Sequence, residues 1–510
     1  MSSPPDLSNH SIDSKVSGVF APSDEEKDRL GERPQSPKER EDDGQGTVQV
    51  YKMYRRRYVG MVGVVLLNIV GGMTCPWFGP VANSMVTDWD ITLSQNSWLG
   101  NIAACVYLPV ALAMPTLIAR YGIRRCCDIG AACLLIGGWI RFSGTSPGLS
   151  SDATYALFVL GQAFSSVSQT VFQVMAPVYS EKWFDVKSRT TATTICSIAN
   201  PIGSGLGQLI SPIPGDTKQS ILILAIISTA IVPSVLLVQS EPPTPPSYSA
   251  SHKPPSFTEF LRQLFGRSDD PTMTTRNRID FFMILIVFGL LVAATNTFAL
   301  LTSTIMAPVG YDDDTSGLMG ATLLLSGIVG AFVISPLMDR VFTRHLALTL
   351  KCFVPCLAGA WLSLIWAVKP NNTGGLFAIM AIIGITSITL LPVGLELGCD
   401  VTRDAEASSS LMWFSGNAFC IIFLLCKWYT SMLMNTPSHQ DLPLAIAEDA
   451  LRAPADASPP LNMRNAMIFQ GVGVTLAATI TLFIQGKQVR KELDIQKAQE
   501  AATTIPMSPH

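Results

Sequence analysis

The amino-acid sequence predicts an all-α membrane protein with twelve transmembrane helices in two pseudo-symmetric six-helix bundles. Three observations predict it. Of the 510 residues, 48% are hydrophobic and only 14% are charged, with a mean hydropathy of +0.35. The charges gather in short clusters separated by apolar runs of about 20 residues, the length a helix needs to cross a bilayer. The pattern also repeats. Pro177-Val178, Glu181 and Asp185-Val186 return with the same spacing as Pro392-Val393, Glu396 and Asp400-Val401, and Arg120 and Arg124 are answered by Arg340 and Arg344 after nearly the same length of chain. Both copies stand at the ends of long apolar runs. A doubled helical bundle is the plan of many secondary transporters, with the solute site between the halves.

Residues 1–50 are rich in Ser, Pro and charge and poor in aromatics. Such a composition cannot bury enough apolar surface to fold alone, so a disordered cytoplasmic tail is expected. No apolar core follows Met1, so no secretory signal is expected. Lys52, Arg55, Arg56 and Arg57 form a basic collar that sets the N-terminus in the cytoplasm. The N-terminal bundle, 51–239, is expected to hold spans near 58–82, 97–119, 126–143, 153–177, 189–212 and 219–239. Residues 240–278 read as a cytoplasmic linker, with Glu241-Pro242-Pro243-Thr244-Pro245-Pro246 and a surface helix from Phe257 to Phe265. The C-terminal bundle, 279–486, is expected to hold spans near 279–307, 316–338, 346–368, 375–397, 406–430 and 465–486. A long outer loop, 431–464, precedes the last span, and 487–510 form a cytoplasmic tail.

Charge tests this topology loop by loop. Inner loops carry Arg120, Arg124, Arg125, Lys182, Lys187, Arg189, Arg276, Arg278, Arg340, Arg344 and Arg403, whereas outer loops carry Asp88, Asp90, Asp152 and Asp312-Asp313-Asp314 against scattered Lys218 and Lys369. That asymmetry obeys the positive-inside rule. Asn371-Asn372-Thr373 is a glycosylation acceptor sequence in an outer loop, with Asn371 the acceptor. The formal net charge of −3 decides nothing, because the two signs are segregated. Eleven cysteines and five histidines suggest no disulfide framework and no metal site. Cys352 and Cys356 share a helical face without acidic or His partners, which rules against zinc. Cys126 and Cys127, beside basic residues at a membrane surface, are candidates for palmitoylation.

Arg120-x-Gly122-x-Arg124-Arg125 follows the second span, and Asp339-Arg340-x-Phe342-x-Arg344 follows the eighth. Here the chain resembles the major facilitator superfamily, whose loop between spans two and three carries Gly-x-x-x-Asp-Arg-x-Gly-Arg-Arg. The first copy has Pro115 and Ala119 where the family has its Gly and Asp; the second keeps Asp339 and loses the glycines. In that superfamily the motif forms a cytoplasmic latch of carboxylates and guanidiniums. The resemblance therefore implies a latch here from Arg120, Arg124, Arg125, Glu181, Asp185, Arg189, Asp339, Arg340, Arg344, Glu396, Asp400 and Arg403, with Glu181, Asp185 or Asp128 standing in for the missing carboxylate. The other reading makes these arginines topology determinants only.

Further residues narrow the likeness: Glu396-Leu397-x-x-Asp400-Val401-Thr402, Glu406, Ser408-Ser409, Gly138-Trp139-Ile140-Arg141, Gly161-Gln162 and Ser168-Gln169, and Asn200 with Gly203. They resemble the feline leukaemia virus subgroup C receptor-related branch, the solute carrier 49 family. That likeness implies transport of a choline-like amine, haem or a vitamin. The branch's amine-binding Trp and Gln positions carry over poorly, falling nearest Cys75, Pro201 beside Asn200, and Asn417.

The spans are almost free of charge. Arg141 and Lys427 lie near outer ends, where long cations reach to the headgroups. Glu396 is either a coupling carboxylate or part of the latch. With no central Asp, Glu or His relay, a uniporter or weakly coupled carrier is expected. Amides, hydroxyls and aromatics supply the interior instead. At about 100° per residue Gln162, Gln169 and Gln173 fall within roughly 20° of one face, which meets either a neighbouring helix or a cavity. Trp77, Asn200, Asn296, Thr297, Trp413 and Asn417 complete the candidate substrate-binding set. Such a pocket suits a neutral molecule or a lipophilic cation. The sequence is thus read as a monomeric carrier that binds a small-molecule substrate in a lipid bilayer, with the plasma membrane favoured over a vacuolar one. No cofactor, no nucleic-acid partner and no membrane-enzyme activity are expected, since the spans show no clustered His, Asp or Ser. A non-transporting receptor or scaffold is the alternative.

Overall fold

The structure, a computed structural model, describes residues 51–268, 273–306, 309–311, 313–337, 346–433 and 464–504. Among them every regular element is a helix. The N-terminal stretch 1–50, most of the outer loop 431–464, and Asp339, Arg340 and Arg344 lie outside the described residues.

The first helix, α1 (Arg56–Met73), stops where the Thr74 hydroxyl turns back to donate to the Gly71 carbonyl at 2.7 Å and Pro76 removes a backbone donor. A 3₁₀ turn, Pro76–Phe78, and α2 (Ala82–Trp89) follow. The span expected unbroken over 58–82 is therefore interrupted. Next comes α3 (Leu93–Ser143), which joins the expected second and third spans. A capping box starts it, with the Gln95 N–H donating to Thr92 Oγ1 and the Thr92 N–H to Gln95 Oε1. Its two arms meet at Gly122, whose φ of 76° reverses the chain within a single residue.

The N-terminal half continues through α4 (Ser151–Trp183), α5 (Arg189–Ile210) and α6 (Thr217–Ile231). Short helices α7 (Tyr248–Ser251) and α8 (Phe257–Leu264) lie between the halves. The C-terminal half holds α9 (Thr275–Met306), α10 (Asp313–Leu337), α11 (Leu346–Ala367), α12 (Thr373–Thr402), α13 (Ala405–Leu433) and α14 (Arg464–Phe483), and α15 (Val489–Thr504) follows it. Seven of the described helical segments are long and apolar enough to cross a membrane. Helices α4 and α5 miss that standard for a structural reason. They carry Ser165, Ser166, Ser168, Thr170, Ser197 and Asn200, all buried within protein, so they need not be apolar.

The packing has the twofold relation that the repeat implies. Helix α1 packs on α5 as α9 packs on α13; across the seam α3 meets α13 as α5 meets α10, and α4 meets α13 as α5 meets α12. Close crossings depend on glycine. A Cβ at Gly203 would lie 1.8 Å from the Ile69 carbonyl oxygen, and one at Gly384 would lie 1.9 Å from that of Leu323. Small residues let membrane helices approach this closely, where van der Waals contact drives association.

Candidate functional site: a charged seal and an uncharged interior

The basic end of the molecule is closed by charge. Arg490, on the first turn of α15, is only 1% exposed. Its Nη1 donates to Glu181 at 2.6 Å, its Nη2 to Glu396 at 2.6 Å and its Nε to Asp400 at 2.9 Å. Glu181 ends α4 in the first half, whereas Glu396 and Asp400 end α12 in the second. One guanidinium thus ties both halves at the repeated motif. One turn on, Asp494 forms an ion pair with Arg189 at 3.0 Å and accepts from the Ser249 N–H and Oγ at 2.7 and 2.8 Å. Arg189 also donates to Ser247. Burial alone would draw the Arg490 guanidinium down, but Glu396, Asp400 and Glu181 hold it well above its ordinary value.

Direct contacts between the halves reinforce the seal. Thr193 Oγ1 on α5 donates to Glu396 Oε2 at 3.0 Å, and Ser409 Oγ on α13 donates to the Val174 carbonyl of α4 at 3.3 Å. The helix ends here are buried without interruption, from Thr170 to Glu181 and from Val393 to Thr402.

Other residues expected in the latch lie elsewhere. Asp185 pairs with Arg57 at 3.8 Å and with Ser188, both in the first half. Arg120 and Arg125 are exposed and Arg124 half-buried, and no carboxylate of the described residues pairs with them. Ala119 stands where the resembled motif has its acid, and Arg120 lies instead over the Tyr121 ring, 5.5 Å from its centroid. Arg403 is exposed and takes the left-handed conformation that ends α12 (φ 65°). Arg490 and Asp494 escaped the sequence reading because they sit in a polar tail beyond the last span. The clue was the pair of repeated glutamates with no cation assigned to them.

The interior candidates separate in the same way. Trp77 is fully buried and its indole N–H donates to Ser220 Oγ on α6 at 3.1 Å, so it belongs to the packing of the first half. Gln162 Oε1 accepts from Arg141 Nη1 at 3.0 Å, and its Nε2 donates to the Thr74 carbonyl at 3.3 Å, at the break after α1. Arg141 does not reach out to the headgroups. It is 1% exposed, with the Phe78 ring 6.0 Å from its guanidinium carbon. Asn200 Nδ2 lies 3.5 Å from Asn68 Oδ1 in the α1–α5 crossing, and Thr297 is buried against Cys420 of α13. All four tie helices within a half. Gln173 is buried and Gln169 half-buried on α4, where Gly71 of α1 approaches the Gln169 backbone.

Three candidates are placed differently. Asn296 on α9 is exposed although its neighbour Thr297 is fully buried. One turn on, Leu300 faces Gly100 of α3, in the other half. Trp413 on α13 packs edge-on to Phe288, with ring centroids 5.4 Å apart, and its buried indole N–H has no partner. Asn417, one turn further, is half-buried and donates to the Trp413 carbonyl, leaving its own oxygen available. Asn371, the glycosylation candidate, is exposed at a turn with φ 61°. Among the described residues no group of His, Cys, Asp and Glu could hold a metal.

A doubled helical bundle with a charged seal at one end and amides and aromatics inside defines a carrier-type membrane protein. Consistent with this, the Major Facilitator Superfamily profile matches residues 61–425, and the chain belongs to that superfamily. It is similar to solute carrier family 49 member A3 of Danio rerio, at 26% identity over 413 residues, covering 79% of this chain and 83% of the relative. It is also similar to the choline/ethanolamine transporter FLVCR2 of Homo sapiens, at 22% identity over 408 residues, covering 75% and 74%. The fold matches the proton:xylose symporter XylE, with TM-score 0.60, 12% identity and coverage of 86% and 99%. It also matches FucP in its outward conformation, with TM-score 0.59, 13% identity and coverage of 84% and 100%.

Proposed function

We propose that this protein is a transporter of a small organic solute, working by alternating access as a uniporter or weakly coupled carrier. It is read as twelve spans with both termini in the cytoplasm, as a monomer in the plasma membrane. The observation that carries this reading is an exposed polar residue on a helix of the seam. At the basic end the halves touch through Glu396, Thr193, Ser409 and Val174, whereas on α9 the polar Asn296 is exposed. An amide facing lipid is costly, so its exposure supports a hollow between the halves, beyond which Leu300 of the same helix meets Gly100 of the other half.

The substrate class is inferred from the residues assigned to that hollow, of which Trp413 and Phe288 are buried against each other in this structure. Trp413, Phe288, Asn296 and Asn417 supply aromatic faces, an unpartnered indole N–H and amide oxygens without a carboxylate. Such a set holds a small amine through cation–π contact and hydrogen bonds, and choline and ethanolamine, named for the human relative, are the first candidates. The test is thermal-shift titration of the purified protein against amines, vitamins and tetrapyrroles. A choline or ethanolamine shift that weakens about tenfold in Trp413→Leu, in keeping with a cation–π contact of about 1–2 kcal/mol, and survives in Trp77→Phe supports the reading. A tetrapyrrole or vitamin shift untouched by Trp413→Leu would replace both substrate and site.

A further inference from the structure

The seal has an unusual charge plan. Its three acids come from both halves and converge on one point, so bringing the halves together brings like charges together. Arg189 acts on Asp400 from further off, but its guanidinium is bound to Asp494 and Ser247. The cation that joins the acids belongs to neither bundle. It arrives on α15, a helix outside the spans that buries Arg490 and Asp494 and leaves Ile495 44% exposed. A helix seated by its apolar side is held by the hydrophobic effect, whereas one seated by Arg490 and Asp494 is held by ion pairs. Its seat depends on the acids it meets.

A built turn delivers it. Between α14 and α15 the chain reverses at Gly486, whose φ of 59° suits glycine and whose Cβ would lie 2.8 Å from that of Ala347. Asp280 at the start of α9 accepts from the Gln485 and Gly486 N–H groups at 3.2 and 3.0 Å. Arg276 pairs with Asp280 and donates to the Phe483 carbonyl. The turn is thus anchored in the second half, while Asp494 reaches Arg189 in the first.

We propose that Glu181, Glu396 and Asp400 form a guanidinium-binding site shared by the two halves, that Arg490 is its built-in ligand, and that the cytoplasmic side closes only while α15 is docked. The proposal rests on the alternating-access reading and adds a condition to it. With α15 in place the acids are bridged; with α15 withdrawn they repel across the seam and the inward-open arrangement is favoured.

Two native thiols report the outcome. Cys399 is fully buried among the three acids and Arg490, and Cys196 is fully buried inside the first half. The full chain in lipid nanodiscs is treated with N-ethylmaleimide and each thiol is quantified by mass spectrometry, in wild type and Arg490→Ala. Alkylation of Cys399 is expected to rise about tenfold or more, since losing one partner of a buried ion pair shifts an equilibrium by at least that much, while Cys196 stays protected. Adding Glu181→Gln, Glu396→Gln and Asp400→Asn to Arg490→Ala is expected to restore protection, because nothing is left to repel. Unchanged Cys399 in Arg490→Ala overturns the proposal. If Arg490→Ala exposes both thiols, the neutralised variant decides: recovery of both supports the site, and continued exposure overturns it. Solute exchange by wild type in vesicles separates the two claims. Exchange with an unresponsive Cys399 leaves the carrier reading standing without the clasp, and a responsive Cys399 without exchange of any tested solute leaves the clasp without the carrier.

Discussion

Arg141 shows what one residue can do in a membrane interior when its charge has no opposite. Its guanidinium lies near no carboxylate among its hydrogen-bond partners; it donates to Gln162 Oε1 and, from Nε, to the Gly137 carbonyl at 3.3 Å, while Nη2 is buried without a partner. Gln162 in turn holds the Thr74 carbonyl left open by the end of α1. The glutamine therefore satisfies two groups at once, and the interruption of the first span depends on it. Gln162→Leu should remove both bonds and lower stability by about 1.5–3 kcal/mol, the range for hydrogen bonds to a charged group. Thermal unfolding in detergent, followed through the intrinsic tryptophans, measures the loss. Adding Arg141→Leu should recover part of it, since the stranded cation is then gone, and the double-mutant cycle gives the coupling. The sequence showed Gln162 as polar and on the Gln169 face, but it could not choose between helix and cavity. Periodicity gives the face and not the neighbour.

At the scale of elements, the turn between α12 and α13 carries a second device. Asp404 is buried and its Oδ1 accepts from the Ala407 N–H at 2.9 Å, holding the start of α13. Burial pushes its carboxyl up to about 7 from an ordinary 3.8, and Glu181 adds to the rise, while the Ala407 and Glu406 N–H groups and Lys182 oppose it. The sign follows from proton binding. Between pH 4 and 7 the packed turn holds a proton that an opened, hydrated turn releases, so its stabilisation is full below about 4 and is lost as pH rises towards 7. Melting temperature should fall over that window in wild type and fall less in Asp404→Asn; equal slopes would remove Asp404 as the cause. The cue to this element was visible only in part. Asp404 follows a span end in sequence, but its burial and the nearness of the charges of Glu181 and Lys182 on α4 come from the tertiary fold, which local pattern does not encode. By contrast, the α12 end was legible from the repeat of Glu181 and Asp185, and the structure shows the two copies diverged: Glu396 and Asp400 both bind Arg490, while Asp185 pairs with Arg57.

For the whole molecule, composition and the internal repeat were enough to reach the fold, because a bilayer admits few ways of satisfying backbone hydrogen bonds and duplication dictates the symmetry. They were not enough for the site. Which polar residues face the hollow is decided by the seam, where contacts come from helices far apart in sequence, and Asn296 and Thr297 make the point. They are adjacent on α9, and both were expected to bind solute. Thr297 is fully buried against Cys420, while Asn296 is exposed on the side that carries Leu300 towards Gly100 of the other half. If the hollow opens between the halves as proposed, the two substitutions should part. Asn296→Leu should raise KM for solute uptake severalfold and leave unfolding stability within about 0.5 kcal/mol, as for a surface site. Thr297→Val should leave KM near wild type and change stability instead, by about 0.5–1.5 kcal/mol for one buried hydroxyl contact. Uptake kinetics in proteoliposomes, paired with melting curves of the same preparations, read both quantities. A reversed pattern, with Thr297→Val altering KM and Asn296→Leu altering only stability, would mean that α9 turns its other face to the solute and that the hollow lies within the second half.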